Sequence, residues 1–212
     1  MEILIVILVI LTGYLLGNIS PSIIVGRMMG VEIREKGSGN AGSTNALRVL
    51  GKKAGAITLV IDVLKGTLAV YLGEVISAGF FPDPRLFGLL AGLSVVIGHI
   101  WPIAFKFKGG KGVATTFGVL LGINFYLALS CLLVLIFLVA VTRRVSVGSM
   151  GAFITLSFAI TIFSGGIYED RPLLTLGFAV LIGIIVLIKH KDNIKRLIKK
   201  EEPRLGLGKK EK

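Results

Sequence analysis

The sequence predicts an all-α polytopic membrane protein of seven membrane helices, two of them short, with the N-terminus outside and the C-terminus cytoplasmic. Three observations carry this expectation. Apolar residues fill 54% of the 212 positions and charged residues only 17%, whereas a soluble domain is about 25% charged. Uncharged stretches recur at lengths near the roughly 20 residues that cross a hydrocarbon core. Lys and Arg collect in alternate joints, as they do in short cytoplasmic loops. So apolar a chain has too little polar surface to coat a soluble enzyme, and disorder, which needs low hydrophobicity, is excluded with it. The 28 glycines follow no G-X-Y period, so collagen is excluded too.

Residues 3–26 carry no charge and make the first span. The Met1–Glu2 start has no basic n-region, so a retained span is expected rather than a cleaved signal peptide. Ser20-Pro21 predicts a kink within it. Further apolar stretches cover 55–78, 86–105, 112–142, 145–168 and 172–188, with short joints and no internal repeat. Stretch 112–142 holds 31 uncharged residues, too many for one span. Its flanks, Lys106, Lys108 and Lys111 before it and Arg143 and Arg144 after it, both read as cytoplasmic. An even number of crossings must lie between them, so two short segments are expected, with Gly118, Gly122 and Asn124 offering a break near 122–125.

The count supports that topology. Of 24 Lys and Arg, six fall in 27–53, three in 106–111, two in 143–144 and ten in 189–212, which places 21 on one side. Residues 1–203 read as one integral membrane domain. Residues 204–212, including Lys209, Lys210 and Lys212, read as a basic cytoplasmic tail against anionic lipid. The net charge of +12 is then mostly a topology signal. No aromatic stacking platform accompanies it, so no nucleic-acid partner is expected. Cys131, the single cysteine, forms no internal disulfide. No His/Cys cluster suggests a metal, and no cofactor is expected.

Three constellations on the cytoplasmic side carry chemistry. In 35–51, Gly37, Gly39 and Gly42 permit positive φ and close approach of a ligand to backbone. Ser38, Asn40, Ser43, Thr44 and Asn45 add donors, and Arg48 adds a forked, permanent charge. Successive amides there, with a helix starting near Thr44, predict an anion nest. The G-x-G-x-x-G spacing is not a dinucleotide fingerprint, because no strand precedes it. In 106–112, Gly109, Gly110 and Gly112 bracket Lys111, so amides and an ammonium are expected to converge on a phosphate; the spacing is not that of a Walker loop. In 189–202, His190, Asn193 and Leu197 share a helix face near Arg196. Within the spans, Asp62 and Lys65 stand at i, i+3 and are expected to pair. His99 reads as a packed or interfacial histidine and Trp101 as an interfacial anchor. Two anion nests in a membrane protein point to more than one phosphate-bearing ligand, one of them a lipid.

The strings GSGNAGSTNALRVLG at 37–51, DVLKG at 62–66, GHIWPIAFKFKGGKGVAT at 98–115 and HKDNIKRL at 190–197 closely resemble the bacterial acyl-phosphate:glycerol-3-phosphate acyltransferase (PlsY) family. The resemblance extends to about Glu202. It implies an inner-membrane enzyme whose active site faces the cytoplasm, with glycerol 3-phosphate, acyl phosphate and the bilayer as partners. Such an enzyme makes lysophosphatidic acid in the first step of phospholipid synthesis. It also implies that Ser38 and Arg48 are required, that Lys111 and its glycines bind phosphate, and that His190, Asn193 and Glu202 complete the site. Catalytic roles are thus expected for Ser38, Arg48, Lys111, His190 and Asn193. Substrate contacts are expected from Gly39, Asn40, Gly42, Thr44, Asn45, Lys106, Gly109, Gly110, Gly112 and Glu202. One departure is Lys200, where the family has Gly. The H-x4-D motif of other glycerolipid acyltransferases is absent, since Ala104 and Lys195 stand five residues after His99 and His190.

The chemistry agrees with the resemblance. An acyl phosphate has a good leaving group, so the site needs an oriented hydroxyl, a stabilised oxyanion and neutralised phosphate charge. No residue stands out as a strong general base; His190 is one candidate and the acceptor's own phosphate another. An organic-phosphate transporter would favour a midplane site with related halves. A CDP-alcohol phosphotransferase would need clustered Asp, and Asp62 is the only intramembrane acid.

Overall fold

The computed structural model describes the backbone of residues 1–163 and 172–205; the side chains of 157–163, 172, 173 and 175 lie outside what it describes. The expected 166–171 joint and the distal basic tail from 206 onward fall outside the described residues. Among the described residues the fold is all helical, as the sequence predicts. Four spans are long and apolar enough to cross a membrane: 2–28, 52–77, 85–105 and 125–142. Shorter apolar helices cover 113–123, 145–156 and 176–189. The chain divides into two compact units, residues 1–123 and 124–212.

In the first unit, α1 (Glu2–Asn18) and α2 (Pro21–Met28) form one interrupted span. The expected kink is a clean break. Pro21 holds the preceding residue out of the helical region, and Ser20 sits at φ −111°, ψ 92°. Proline also has no N–H to offer Gly17 four residues back. Helices α3 (Ser43–Val49), α4 (Lys52–Ser77), α5 (Arg85–Ile100) and α6 (Val113–Ile123) follow. The outward faces stay apolar, with Leu4, Ile7, Leu8, Leu11 and Leu15 of α1 exposed, as befits helices whose solvent is lipid. Small residues bring the helices together. A Cβ on Gly98 would overlap the Tyr14 carbonyl of α1, and one on Gly118 of α6 would overlap the Val63 carbonyl of α4.

In the second unit, α7 (Phe125–Thr142) and α8 (Val145–Phe163) are joined by a tight turn at Arg143, φ 55°. Helices α9 (Pro172–Lys189) and α10 (Lys191–Ile198) follow. The break expected within 112–142 falls at Asn124, whose side chain accepts the Leu127 N–H at 2.8 Å and starts α7. The two segments are unequal rather than both short. At 1.5 Å per residue α7 is about 27 Å long and α6 only about 16 Å. α6 packs along α4 with Thr115, Thr116, Val119 and Leu120 buried, so its ends meet protein rather than hydrocarbon.

Candidate active site

The first loop is built around one side chain. Asn45 is 1% exposed. Its Oδ1 accepts the Ser38 N–H at 2.9 Å, and its Nδ2 donates to Ile33 O and Lys36 O, each at 3.1 Å. Gly37 (φ 61°) and Gly39 (φ 70°) take the left-handed conformation that the turn requires. A Cβ on Gly37 would overlap Asn45 Oδ1. Gly42 is extended at φ −134° and starts α3, with Ser43 and Thr44 in its first turn. Ser38 and Arg48 are exposed; Asn40 and Thr44 are half-buried.

The second loop sits on the end of α5. Gly109 and Gly110 donate their N–H groups to Ile100 O at 3.2 Å and His99 O at 3.1 Å. These are last-turn carbonyls without helical partners. Gly112 (φ 83°) turns the chain into α6, and Lys106 and Phe107 are also left-handed. The two loops are tied together. Phe105 packs on Ile23, Ile33, Ala41 and Ala46, and Arg27 stacks 5.4 Å from its ring centroid. Arg34 donates to Phe105 O at 3.2 Å while paired with Glu32 at 2.8 Å. That hydrogen bond to Arg34 pulls the Glu32 carboxyl down to about 2. Lys111 is half-buried and Lys106 exposed in this joined patch.

Beneath the loops lies a buried charged cluster. Lys65 Nζ is 2.7 Å from Asp62 Oδ1 and 2.9 Å from His99 Nδ1. It also donates to Ile19 O at 2.6 Å and Gly17 O at 3.3 Å, carbonyls at the α1–α2 break. Carbonyls freed at the break thus find their donor in a buried lysine.

In the second unit, His190 is 2% exposed, with Nδ1 2.8 Å from Val186 O. A carbonyl can only accept, so Nδ1 carries the proton. Asn193 Nδ2 donates to Glu202 Oε1 at 2.6 Å, and Arg196 Nε donates to Glu202 Oε2 at 2.8 Å. Burial opposes ionisation of Glu202, but the Ser146 hydroxyl, Asn193 and Arg196 outweigh it and hold the carboxyl below its usual range. Lys200 has φ 59°, so the lysine takes up the backbone shape that a glycine adopts without strain.

A family model described as glycerol-3-phosphate acyltransferase matches residues 7–200. The chain belongs to this family. It is 45% identical to the glycerol-3-phosphate acyltransferase of Clostridioides difficile over 97% of this chain and 98% of that one. It is 41% identical to that of Geobacillus kaustophilus over 93% and 95%. The crystal structure of PlsY, an integral membrane glycerol 3-phosphate acyltransferase, in its glycerol 3-phosphate form, superimposes with a TM-score of 0.84 at 35% identity, over 95% of this chain and 96% of that one. Its lysophosphatidic acid form gives 0.81 at 34% identity, over 95% of each chain.

Within this family member the structure gives several of the expected site residues partners that the sequence did not show. The anion-nest reading assigned phosphate to loop amides. Four of those amides, of Ser38, Gly39, Gly109 and Gly110, close the loops on themselves or on α5; Gly39 N–H bonds Lys36 O at 3.0 Å. Gly109 and Gly110 are small because neighbouring backbone and the His99 ring stand against them. Asn45, expected at substrate, bonds Ser38, Ile33 and Lys36, and Glu202, likewise expected there, bonds Asn193 and Arg196. In the first unit the side chains of Ser38, Arg48 and Lys106 are exposed and that of Lys111 is half-buried. His99, expected as a packed or interfacial histidine, is packed, and it belongs to the Asp62–Lys65 cluster. The i, i+3 spacing of Asp62 and Lys65 found that pair; nothing local to His99 linked it to them.

Proposed function

We propose that this glycerol-3-phosphate acyltransferase takes its acyl group from an acyl phosphate, at the cytoplasmic face of the bacterial inner membrane. The glycerol 3-phosphate 1-hydroxyl attacks the acyl carbon, the new C–O bond forms, and the anhydride C–O bond breaks. The bonding pair leaves with inorganic phosphate, and the product is lysophosphatidic acid. Arg48 and Lys111 neutralise phosphate charge, and Ser38 orients a polar group of the reactants. His190 and Asn193 serve the same reaction, with His190 positioning rather than deprotonating. The hydroxyl proton passes to the acceptor's own phosphate, whose second pKa is near ~6. The observation that supports this reading best is the joining of the Ser38–Arg48 loop to the Lys111 loop in one unit. Organic-phosphate transport and CDP-alcohol phosphotransfer are not favoured by the family match.

The test is purified protein with acyl phosphate and glycerol 3-phosphate in metal-free buffer. Phosphate release that depends on glycerol 3-phosphate is expected; none would reject the acyl-phosphate donor. Residues 1–203 act as one catalytic domain with a basic tail after it. Seven membrane segments, N-terminus outside, are inferred from the Lys/Arg asymmetry. An impermeant thiol reagent added outside should label Pro82→Cys and Tyr126→Cys but not Lys108→Cys, and the reverse pattern would overturn the topology.

A further inference from the structure

We propose that Asp62, Lys65 and His99 are positioning residues for the Lys111 loop. This rests on the reading that Lys111 holds a phosphate. The cluster is almost fully buried: Asp62 is 1%, Lys65 4% and His99 4% exposed. A buried ion pair is weak evidence for stability by itself, because desolvation offsets most of its attraction. Its placement suggests a different purpose. His99 Nδ1 lies between the Lys65 ammonium at 2.9 Å and Asp62 Oδ1 at 3.2 Å. Unprotonated, Nδ1 accepts from Lys65; protonated, it donates to Asp62; either way that edge of the ring is held in place.

The opposite edge faces the second loop. A Cβ built on Gly110 would overlap His99 Nε2 and stand 2.8 Å from Cε1 and 3.0 Å from Ala41 O. Gly110 N–H is bonded to the His99 carbonyl as well. The residue before Lys111 is therefore seated on His99 by ring and backbone together, with the first loop on its other side.

The same α1–α2 break that Lys65 completes reaches the start of this segment at further points. Tyr14 Oη donates to Trp101 O at 2.9 Å, and Asn18 Oδ1 accepts the Ala104 N–H at 3.2 Å. Lys65 thus links the break, the α5 end and the loop floor. Its charge sets the ring, the ring sets Gly110, and Gly110 sets where the next residue, Lys111, begins. A displacement of about 1 Å in such a group costs on the order of 10²-fold in rate.

The experiment measures kcat, KM and thermal unfolding for the full chain in lipid nanodiscs. Asp62→Asn with Lys65→Met removes both charges at similar volume; the unfolding temperature is expected to fall as Gly17 O and Ile19 O lose their donor, and kcat, measured well below that temperature, is expected to fall about 10²-fold. Retention of kcat within about threefold would overturn the inference. Should that variant lose its unfolding transition, a second pair decides. Gly110→Ala drives a Cβ into the ring edge, and His99→Asn keeps a polar group near Nδ1 while removing that edge. Because removing the ring relieves that overlap, the combined variant should lose less kcat than the product of the single losses, by about tenfold or more, when kcat is taken per folded enzyme. Simple multiplication of the two losses would overturn the inference. Lys111→Ala is the control: wild-type turnover there would sink the phosphate reading itself, and the inference with it. Loss in Lys111→Ala beside full activity in the cluster variants would sink the inference alone.

Discussion

Replacing Asn45 with alanine tests whether the first loop is held from within. Three hydrogen bonds go at once: those to Ser38 N–H, Ile33 O and Lys36 O. A net contribution of about 1 kcal/mol each gives about 3 kcal/mol, because the site is 1% exposed and water does not easily replace the amide. Some of that is recovered where the Lys36 carbonyl reaches solvent, so about 2–3 kcal/mol remains. Spent on the loop alone, this shifts the ratio of placed to displaced loop by about 10²-fold. The expected result is a comparable fall in kcat and faster hydrogen exchange at the Ser38 and Gly39 amides. Asn45→Asp keeps the acceptor for Ser38 N–H but turns a carboxylate toward two carbonyls, so it should not rescue. If Asn45 contacted substrate directly, KM would rise while Ser38 exchange stayed at the wild-type rate. That outcome would refute the strut reading.

Lys111→Ala should abolish turnover without unfolding the protein, and Lys111→Arg should fail as well, since a forked cation does not replace a compact one between glycines; near-native activity in either would return the loop to a topology signal. For the proton, the acid limb of the rate profile should survive in His190→Gln at reduced height and shift with a phosphonate acceptor of different second pKa. A limb lost with His190 and unmoved by the phosphonate would make the histidine the base. Glu202 has its folded pKa depressed below the reference of 4.5, so its stabilisation is present above that value and lost as pH falls through the lower, folded one. Wild-type protein should therefore unfold at higher temperature than Glu202→Gln at neutral pH, with the gap closing below about pH 4.5. A gap that widens on acidification would contradict the ion pair with Arg196.

The fold was legible where physics is local. Spans follow from uncharged stretches, the break at Ser20-Pro21 from the missing proline N–H, and the division at Asn124 from a capping side chain beside Gly122. The lengths of α6 and α7 were not legible. A short helix survives in a membrane only through what packs on it, and the contact of Gly118 with Val63 joins residues far apart in sequence. The site residues divide in the same way. Ser38, Arg48 and Lys111 are proposed for chemistry on side-chain types that the sequence displays directly. Asn45 and Glu202 look identical to ligand contacts until their partners are known.

The glycines show why. A glycine-rich loop lets backbone come close to something, but the sequence does not say to what. At Gly37 the close neighbour is Asn45, at Gly109 the His99 carbonyl, and at Gly110 the His99 ring. The vacancy left by each absent side chain is filled by protein, which makes these loops rigid seats rather than open cradles. A rigid seat suits this chemistry. Under the proposed reaction two anionic reactants would be held against mutual repulsion in a fixed geometry, and long cationic side chains do that only if their backbone anchors do not move. The conformational freedom of glycine is thus used once, in folding, to build a loop that the finished protein holds still.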